Sequence, residues 1–175
     1  MPAGRIFLVS LPVLLCTIDS ILTASTFYKT QRIMTINEIQ DEIIEEFEGL
    51  TDWMDRYAYI IELGESLPPF PEADKIPANL IEGCQSRVWI TAHIDAEGNV
   101  VFQADSDALI VKGIVALLLR VLSGQKPEEI IGADLYFIDR IGLKDHLSPT
   151  RSNGLVAMVK QMRNYAVAFK ALENK

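Results

Sequence analysis

The chain has 175 residues, of which 49% are hydrophobic and 23% are charged, and its formal net charge is −8. This length fits one domain with a sizeable core. Residues 1–33 hold three cations and one acid, so residues 34–175 carry a formal charge of −10. Such an acidic domain argues against a nucleic-acid partner, because phosphate binding needs clustered lysine and arginine. It suits a partner with a basic docking surface.

An apolar segment at residues 6–22 precedes this acidic domain. A secretory signal requires an uninterrupted apolar middle, and Asp19 interrupts this one. A transmembrane helix needs about twenty apolar residues, whereas this stretch is shorter and contains Pro12 as well as Asp19. We therefore expect no membrane partner.

A translation start at Met34 is the interpretation we favour for this region. The sequence then opens with Thr35 and, three residues later, Glu38, which is the spacing of a helix capping box. We expect a single domain at residues 34–175 and regard residues 1–33 as an extension, either a mis-assigned start or a weak signal-like segment. A start at Met34 predicts a cytoplasmic protein, whereas cleavage near Ser25 predicts export.

Two amphipathic helices are predicted at the start of the domain. Apolar side chains recur every three or four residues over residues 36–48, and acidic side chains cover the other faces. Gly49 ends this helix. Asp52 is the predicted N-cap of a second helix, and Gly64 is its predicted C-cap. The short turn between them favours an antiparallel pair.

A proline-rich loop separates these helices from two predicted strands. Four prolines in residues 65–82 remove backbone donors and fix φ, so we expect an ordered loop that is neither helix nor strand. Residues 87–94 alternate in the manner of a half-buried strand. Residues 95–99 predict a hairpin turn, and residues 100–104 predict the second strand.

A long apolar helix is predicted after the second strand, over residues 108–123. Its apolar residues cover most of its circumference, which indicates the central buried helix of the domain. Asp105, Ser106 and Asp107 precede it and are expected to cap its start. Gly124 is expected to end it.

The remaining chain is predicted to be mainly helical. Pro127 begins a short helix. Residues 135–138 fit a third strand and a helix equally well. Ser148 and Pro149 have the pattern of an N-cap and a first helical residue, and they begin a last helix that runs towards Leu172.

Cys84 is the first candidate of the domain for chemistry. It is the only cysteine of residues 34–175, so no internal disulfide is expected there and a reducing, intracellular setting is indicated. Gly83 gives backbone access to it at a junction between loop and strand. Thiol chemistry needs the thiolate, which Arg87 would favour by folding back and Glu82 would oppose. A buried, unreactive cysteine is the alternative.

Few other side chains suggest chemistry. A cysteine hydrolase would need His93 or His146 beside Cys84, and His93 would lie about 30 Å away along an extended chain at roughly 3.3 Å per residue. No cluster of cysteine and histidine has metal-ligand spacing. Arg151 falls in the first turn of the last helix, where a positive charge opposes the helix dipole. This position indicates either a functional contact or an ordinary salt bridge.

Four sequence blocks, in this order and spacing, resemble the SufE family, whose members accept sulfur during iron–sulfur cluster assembly. Together they are specific, although each alone is weak, and the likeness spans residues 34–172. The blocks are YIIELG at 59–64, IEGCQSRVW at 81–89, DSDALIVKG at 105–113 and HLSPTRSNGL at 146–155.

The resemblance implies an α+β fold in which a small antiparallel sheet packs against helices, in a SufE/IscU-like arrangement. It implies that Cys84 takes sulfur as a persulfide from a SufS-like cysteine desulfurase, stimulates that enzyme and passes sulfur to a SufBCD-type scaffold. The pyridoxal phosphate then belongs to the desulfurase, and no cofactor or metal is expected on this chain. The resemblance implies a sulfur-transfer partner and activator of the desulfurase more than a stand-alone enzyme.

Four further residues of the matching blocks are implied as supporting members of the site: Gly83, Gln85, Arg151 and His146. A sulfur relay needs one accessible thiol and no resolving cysteine, and docking requires a mobile loop around Gly83. Two alternatives stay open, a SufE-like paralogue of the CsdE type that serves another desulfurase and acceptor, and a non-catalytic docking module. A homodimer is also left open.

Overall fold

The computed structural model describes residues 34–173. The interpretations of residues 1–33, as an extension, a signal-like segment or the product of a mis-assigned start, lie outside the described residues. The start at Met34 therefore stays a prediction.

Two capped helices open the domain, α1 (Ile36–Glu48) and α2 (Trp53–Glu65). The Thr35 hydroxyl accepts the N–H of Glu38, and the Glu38 carboxylate accepts the N–H of Thr35 at 2.9 Å, so the predicted capping box is confirmed. Asp52 accepts a backbone N–H in the first turn of α2, as predicted for an N-cap. Each cap satisfies donors that the first helical turn leaves free.

The proline-rich loop is ordered and leads into a two-stranded antiparallel sheet. Short 3₁₀ turns form at Glu72–Asp74 and Pro77–Asn79. Strands β1 (Val88–Ile94) and β2 (Val100–Ser106) then pair in a hairpin whose register places Val88 opposite Ser106. The second strand is two residues longer than predicted.

The central element of the domain is α3 (Leu109–Leu122), in which ten of fourteen residues are buried. It contacts α1, α2, β2 and the last helix. The predicted central buried helix is therefore confirmed. Its circumference is apolar because other elements contact it on nearly every side.

The start of α3 differs from the prediction. Ala108 occupies the cap position without a side-chain cap, although its N–H donates to the Ser106 hydroxyl at 3.3 Å. Asp105 instead pairs with Lys75 and Lys112 at 3.0 and 2.9 Å. The two carboxylates predicted as caps are thus drawn into ion pairs, Asp105 with these lysines and Asp107 with Arg87, because tertiary contacts bring cations within reach.

Backbone-to-backbone packing joins α2 to α3 at a pair of glycines. A Cβ atom on Gly64 would lie 2.7 Å from the backbone nitrogen of Gly113, and a Cβ on Gly113 would overlap the carbonyl oxygen of Ile60. The prediction that Gly64 ends α2 is therefore wrong, since the helix continues to Glu65 and is capped by Ser66. Gly64 is present because the two helices touch there.

Four helices complete the fold: α4 (Pro127–Gly132), α5 (Phe137–Arg140), α6 (Leu143–His146) and α7 (Pro149–Glu173). The ambiguous residues 135–138 lead into the short helix α5, with Phe137 and Ile138 buried in the core. Helix α7 begins at Pro149, as predicted.

The arrangement is a helical domain with a small antiparallel sheet packed against its helices, which confirms the α+β expectation. Within residues 34–173, none of the helices combines the length and the apolar character that crossing a membrane requires.

We predict that Gly113→Ala lowers the free energy of unfolding by at least about 2 kcal/mol, because the added methyl group overpacks the α2–α3 contact. The intrinsic gain from alanine in a helix, about 1 kcal/mol, offsets only part of this loss. Urea denaturation followed by circular dichroism measures the change.

The control is Gly49→Ala, at a residue with φ of −68° whose Cβ would meet its nearest neighbour at 3.4 Å. Equal stabilities of the Gly113 variant and the native protein would contradict the proposed role of this contact.

Candidate functional site

Cys84 lies on a short loop whose two ends are held together. The Ile81 N–H donates to the Val88 carbonyl at 2.8 Å, and Leu80 forms a bridge with Trp89. Ile81 and Val88 are both buried in the core. Residues 82–87 therefore project as a loop with a fixed base.

Arg87 anchors the exit of this loop. Its backbone N–H and its Nε donate to the two carboxylate oxygens of Asp107, each at 2.9 Å, and its guanidinium lies 5.5 Å from the centre of the Trp89 ring. The hydrogen bond from Arg87 lowers the pKa of the Asp107 carboxyl. The sequence suggested that Arg87 could fold back and favour the Cys84 thiolate. In the structure Arg87 instead pairs with Asp107.

The thiol of Cys84 rests against the backbone of α7. Gly83 precedes it with φ of +86°, a left-handed conformation that glycine adopts readily. The Cys84 Sγ donates to the carbonyl oxygen of Gly154 over 3.6 Å. A Cβ on Gly154 would lie 3.1 Å from that sulfur, so the absence of a side chain at Gly154 permits the contact.

A cavity of about 250 Å³ opens beside the half-buried thiol. Apolar side chains of α3 and α7 line its interior, and polar side chains of the loop and of the start of α7 line the remainder. The lining residues are Cys84, Gln85, Ser86, Val111, Ile114, Thr150, Arg151, Gly154 and Met158.

The structure brings together three of the predicted site residues, since Gln85 and Arg151 line the cavity with Cys84. Gly83 lies next to the cavity, in the turn that presents the cysteine. His146 lies elsewhere: its ring stacks on Trp53 with 3.4 Å between ring centres, and its Nδ1 lies 3.1 Å from the carbonyl oxygen of Gly142.

The cavity lining contains no histidine. His93 is exposed on β1, opposite Val101, and His146 packs against α2. The described residues therefore offer Cys84 no Cys–His pair of the kind that a hydrolase uses as nucleophile and base. They also contain no group of three or more His, Cys, Asp or Glu side chains arranged to hold a metal ion.

The environment of Cys84 favours the protonated form of its thiol. Burial raises the pKa of the thiol above its ordinary value, because a thiolate loses hydration when it is removed from water. The thiolate fraction at neutral pH is correspondingly small, and the resting cysteine is a poor nucleophile.

The sequence did not reveal Val111, Ile114, Thr150, Gly154 and Met158 as parts of the site. One signal was present, because a glycine inside a helix costs about 1 kcal/mol relative to alanine. Gly154 in the second turn of α7 therefore indicated that another group approaches the helix backbone closely. The identity of that group, the sulfur of Cys84, depends on tertiary packing.

The fold and the site together define an α+β domain in which one loop cysteine borders a cavity lined by the loop and two helices. A family model described as "SufE: Fe-S metabolism associated domain" matches residues 41–166. The match covers more than half of the chain, so this chain belongs to the SufE family and has a role in iron–sulfur metabolism.

A solved structure shows the same fold. It is the solution structure of a hypothetical protein from Thermus thermophilus, similar with a TM-score of 0.64 over 76% of this chain and 96% of that chain. The two sequences are 22% identical, and the likeness therefore concerns the fold alone.

We predict that alkylation of Cys84 reaches half of its maximal rate at a higher pH than alkylation of an unstructured cysteine peptide. The reason is the raised pKa of the buried thiol, which leaves less thiolate at any lower pH. Rates with iodoacetamide across a pH series, read by peptide mass spectrometry, measure the midpoint. A midpoint below that of the peptide would contradict this account of the site.

We predict that Gly154→Ala speeds alkylation of Cys84 at neutral pH, because the new methyl group displaces the sulfur from α7 towards water. Thermal stability should change little, since alanine also favours the helix by about 1 kcal/mol. The control is Gly132→Ala, where the added Cβ meets no neighbour within 4 Å. Unchanged or slower alkylation of the Gly154 variant would show that the contact does not restrain the thiol.

Proposed function

We propose that this protein is a sulfur carrier that accepts sulfur from a cysteine desulfurase onto Cys84 and delivers it for iron–sulfur cluster assembly. The observation that carries the proposal is the placement of Cys84. It is the only cysteine of residues 34–175, it lies on a loop with a fixed base, and its sulfur borders a cavity of about 250 Å³.

The transfer is a displacement at sulfur. The Cys84 thiolate attacks the outer sulfur of a persulfide on the desulfurase, the sulfur–sulfur bond of that persulfide breaks, and the desulfurase cysteine leaves as a thiolate. Cys84 then carries the persulfide, and no external oxidant or reductant is consumed. The Cys84 proton passes to a base that the partner or solvent supplies, because the cavity lining contains no histidine.

The cavity suits storage of the transferred sulfur. Val111, Ile114 and Met158 are buried and line it, so these apolar side chains limit the access of water and of small thiols. A second cysteine near Cys84 would attack the persulfide and expel the sulfur as sulfide. The described residues contain no such cysteine.

The raised thiol pKa supports a carrier that acts only with its partner. A cysteine whose neutral form is favoured by burial reacts slowly with stray electrophiles, and it becomes competent when docking moves it out of the cavity or lowers its pKa. The pyridoxal phosphate needed to release sulfur from free cysteine belongs, in this proposal, to the desulfurase. A SufBCD-type scaffold is the proposed destination, and the cytoplasm is the proposed location.

The decisive experiment incubates the full chain with a SufS-like cysteine desulfurase and cysteine, without reductant, and records its intact mass. We expect a gain of whole sulfur atoms that a later reductant removes. Cys84→Ser should abolish the gain, whereas Cys16→Ser, at the only other cysteine of the chain, should retain it.

The desulfurase rate in the same mixtures distinguishes a carrier from a docking module. Stimulation that disappears with Cys84→Ser supports the carrier. Full stimulation by Cys84→Ser, with no sulfur gained by the native protein, would overturn the proposal in favour of a non-catalytic docking module.

A further inference from the structure

The charge of the domain is distributed very unevenly. Residues 34–148 contain 22 acidic side chains against 8 lysines and arginines, whereas residues 149–175 contain five lysines and arginines against one acid. The formal charges are therefore −14 and +4. Helix α7, which forms one wall of the Cys84 cavity, holds four lysines and arginines against one acid and is the most basic element of an acidic domain.

A groove of about 730 Å³ adjoins the Cys84 cavity. Its two walls are α7 and the segment that leads to the cysteine. Gly83 lines the groove and the next residue, Cys84, lines the cavity, so the groove and the cavity meet at this point of the loop. The groove is lined by Pro77, Ala78, Leu80, Ile81, Glu82, Gly83, Ala157, Lys160, Gln161 and Asn164.

Two cations at these neighbouring voids have no carboxylate partner within residues 34–173. Lys160 lines the groove and Arg151 lines the cavity, and both are exposed. Glu82, which also lines the groove, makes no ion pair with Lys160. Many other cations of the domain are committed to ion pairs, namely Lys75, Arg87, Lys112, Arg120 and Lys144.

Exposed apolar side chains accompany these unpaired cations. Leu80, on the loop wall of the groove, is 36% exposed, and Val156, beside Ala157 on α7, is 64% exposed. An apolar side chain surrounded by a polar rim is a common arrangement at protein–protein contacts.

We infer that this groove, which we call the α7 groove, docks a carboxylate-bearing segment of the enzyme that donates sulfur to Cys84. The inference rests on the proposed function and adds the chemistry of the partner surface. It reverses the expectation from net charge, which favours a basic partner. Local charge decides at contact distance, because salt screens exposed charges beyond about 8 Å at physiological ionic strength.

The test compares two charge reversals on the same helix, Lys160→Glu in the α7 groove and Lys170→Glu, about 15 Å further along α7 at 1.5 Å per residue. Titration calorimetry against a SufS-like cysteine desulfurase gives the dissociation constant of each complex. We expect Lys160→Glu to weaken binding about five-fold or more at low salt. The Lys170 control should stay within about two-fold of the native protein, and at about 1 M salt, where the Debye length is about 3 Å, the two variants should converge.

The inference is overturned if Lys160→Glu binds as well as the native protein, or if both reversals weaken binding equally. Sulfur loading of Cys84 in the native protein is measured separately by intact mass. If the native protein is loaded with sulfur but Lys160→Glu binds the desulfurase as tightly as the native protein does, only the docking inference fails. If Cys84 of the native protein gains no sulfur, the proposed function fails. The calorimetry of Lys160→Glu against the native protein then still shows whether Lys160 contacts carboxylates on the desulfurase. Absence of native binding defeats the docking inference.

Discussion

The contact between the backbones of α2 and α3 is the constraint on which the rest of the domain depends. Gly64 and Gly113 leave no room for a side chain between the two helices, so α3 is held at one depth in the core. Val111 and Ile114, on either side of Gly113, then fall on the inner surface of the Cys84 cavity. The helix crossing that stabilises the fold thus also shapes the site.

A second close approach, between Cys84 and Gly154, sets the chemistry of the thiol. Because α7 carries no side chain at this point, the sulfur packs against the helix backbone, and burial raises its pKa. The same packing that protects the cysteine lowers its reactivity. The sulfur carrier that we propose would therefore need a partner that brings the thiol out or activates it, since the cavity lining contains no histidine.

Much of the local structure was predictable because its causes lie close together along the chain. The Thr35–Glu38 capping box, the Asp52 cap, the hairpin and the apolar circumference of α3 each depend on residues within one element. The errors occurred where distant residues compete. Gly64 resembled a helix end but serves a helix contact, and Asp105 and Asp107 resembled caps but pair with Lys75, Lys112 and Arg87.

The amino-acid order alone established both strands and the longer helices, the solitary cysteine of residues 34–175 and the likeness to the SufE family, since these are properties of neighbouring residues and of composition. It left residues 135–138 open and did not predict α6. It did not establish which side chains surround Cys84. Gly154 lies seventy residues further along, and His146, although part of a matching block, stacks on Trp53 instead. Such contacts arise only when helices pack, because packing joins residues that local propensity treats independently.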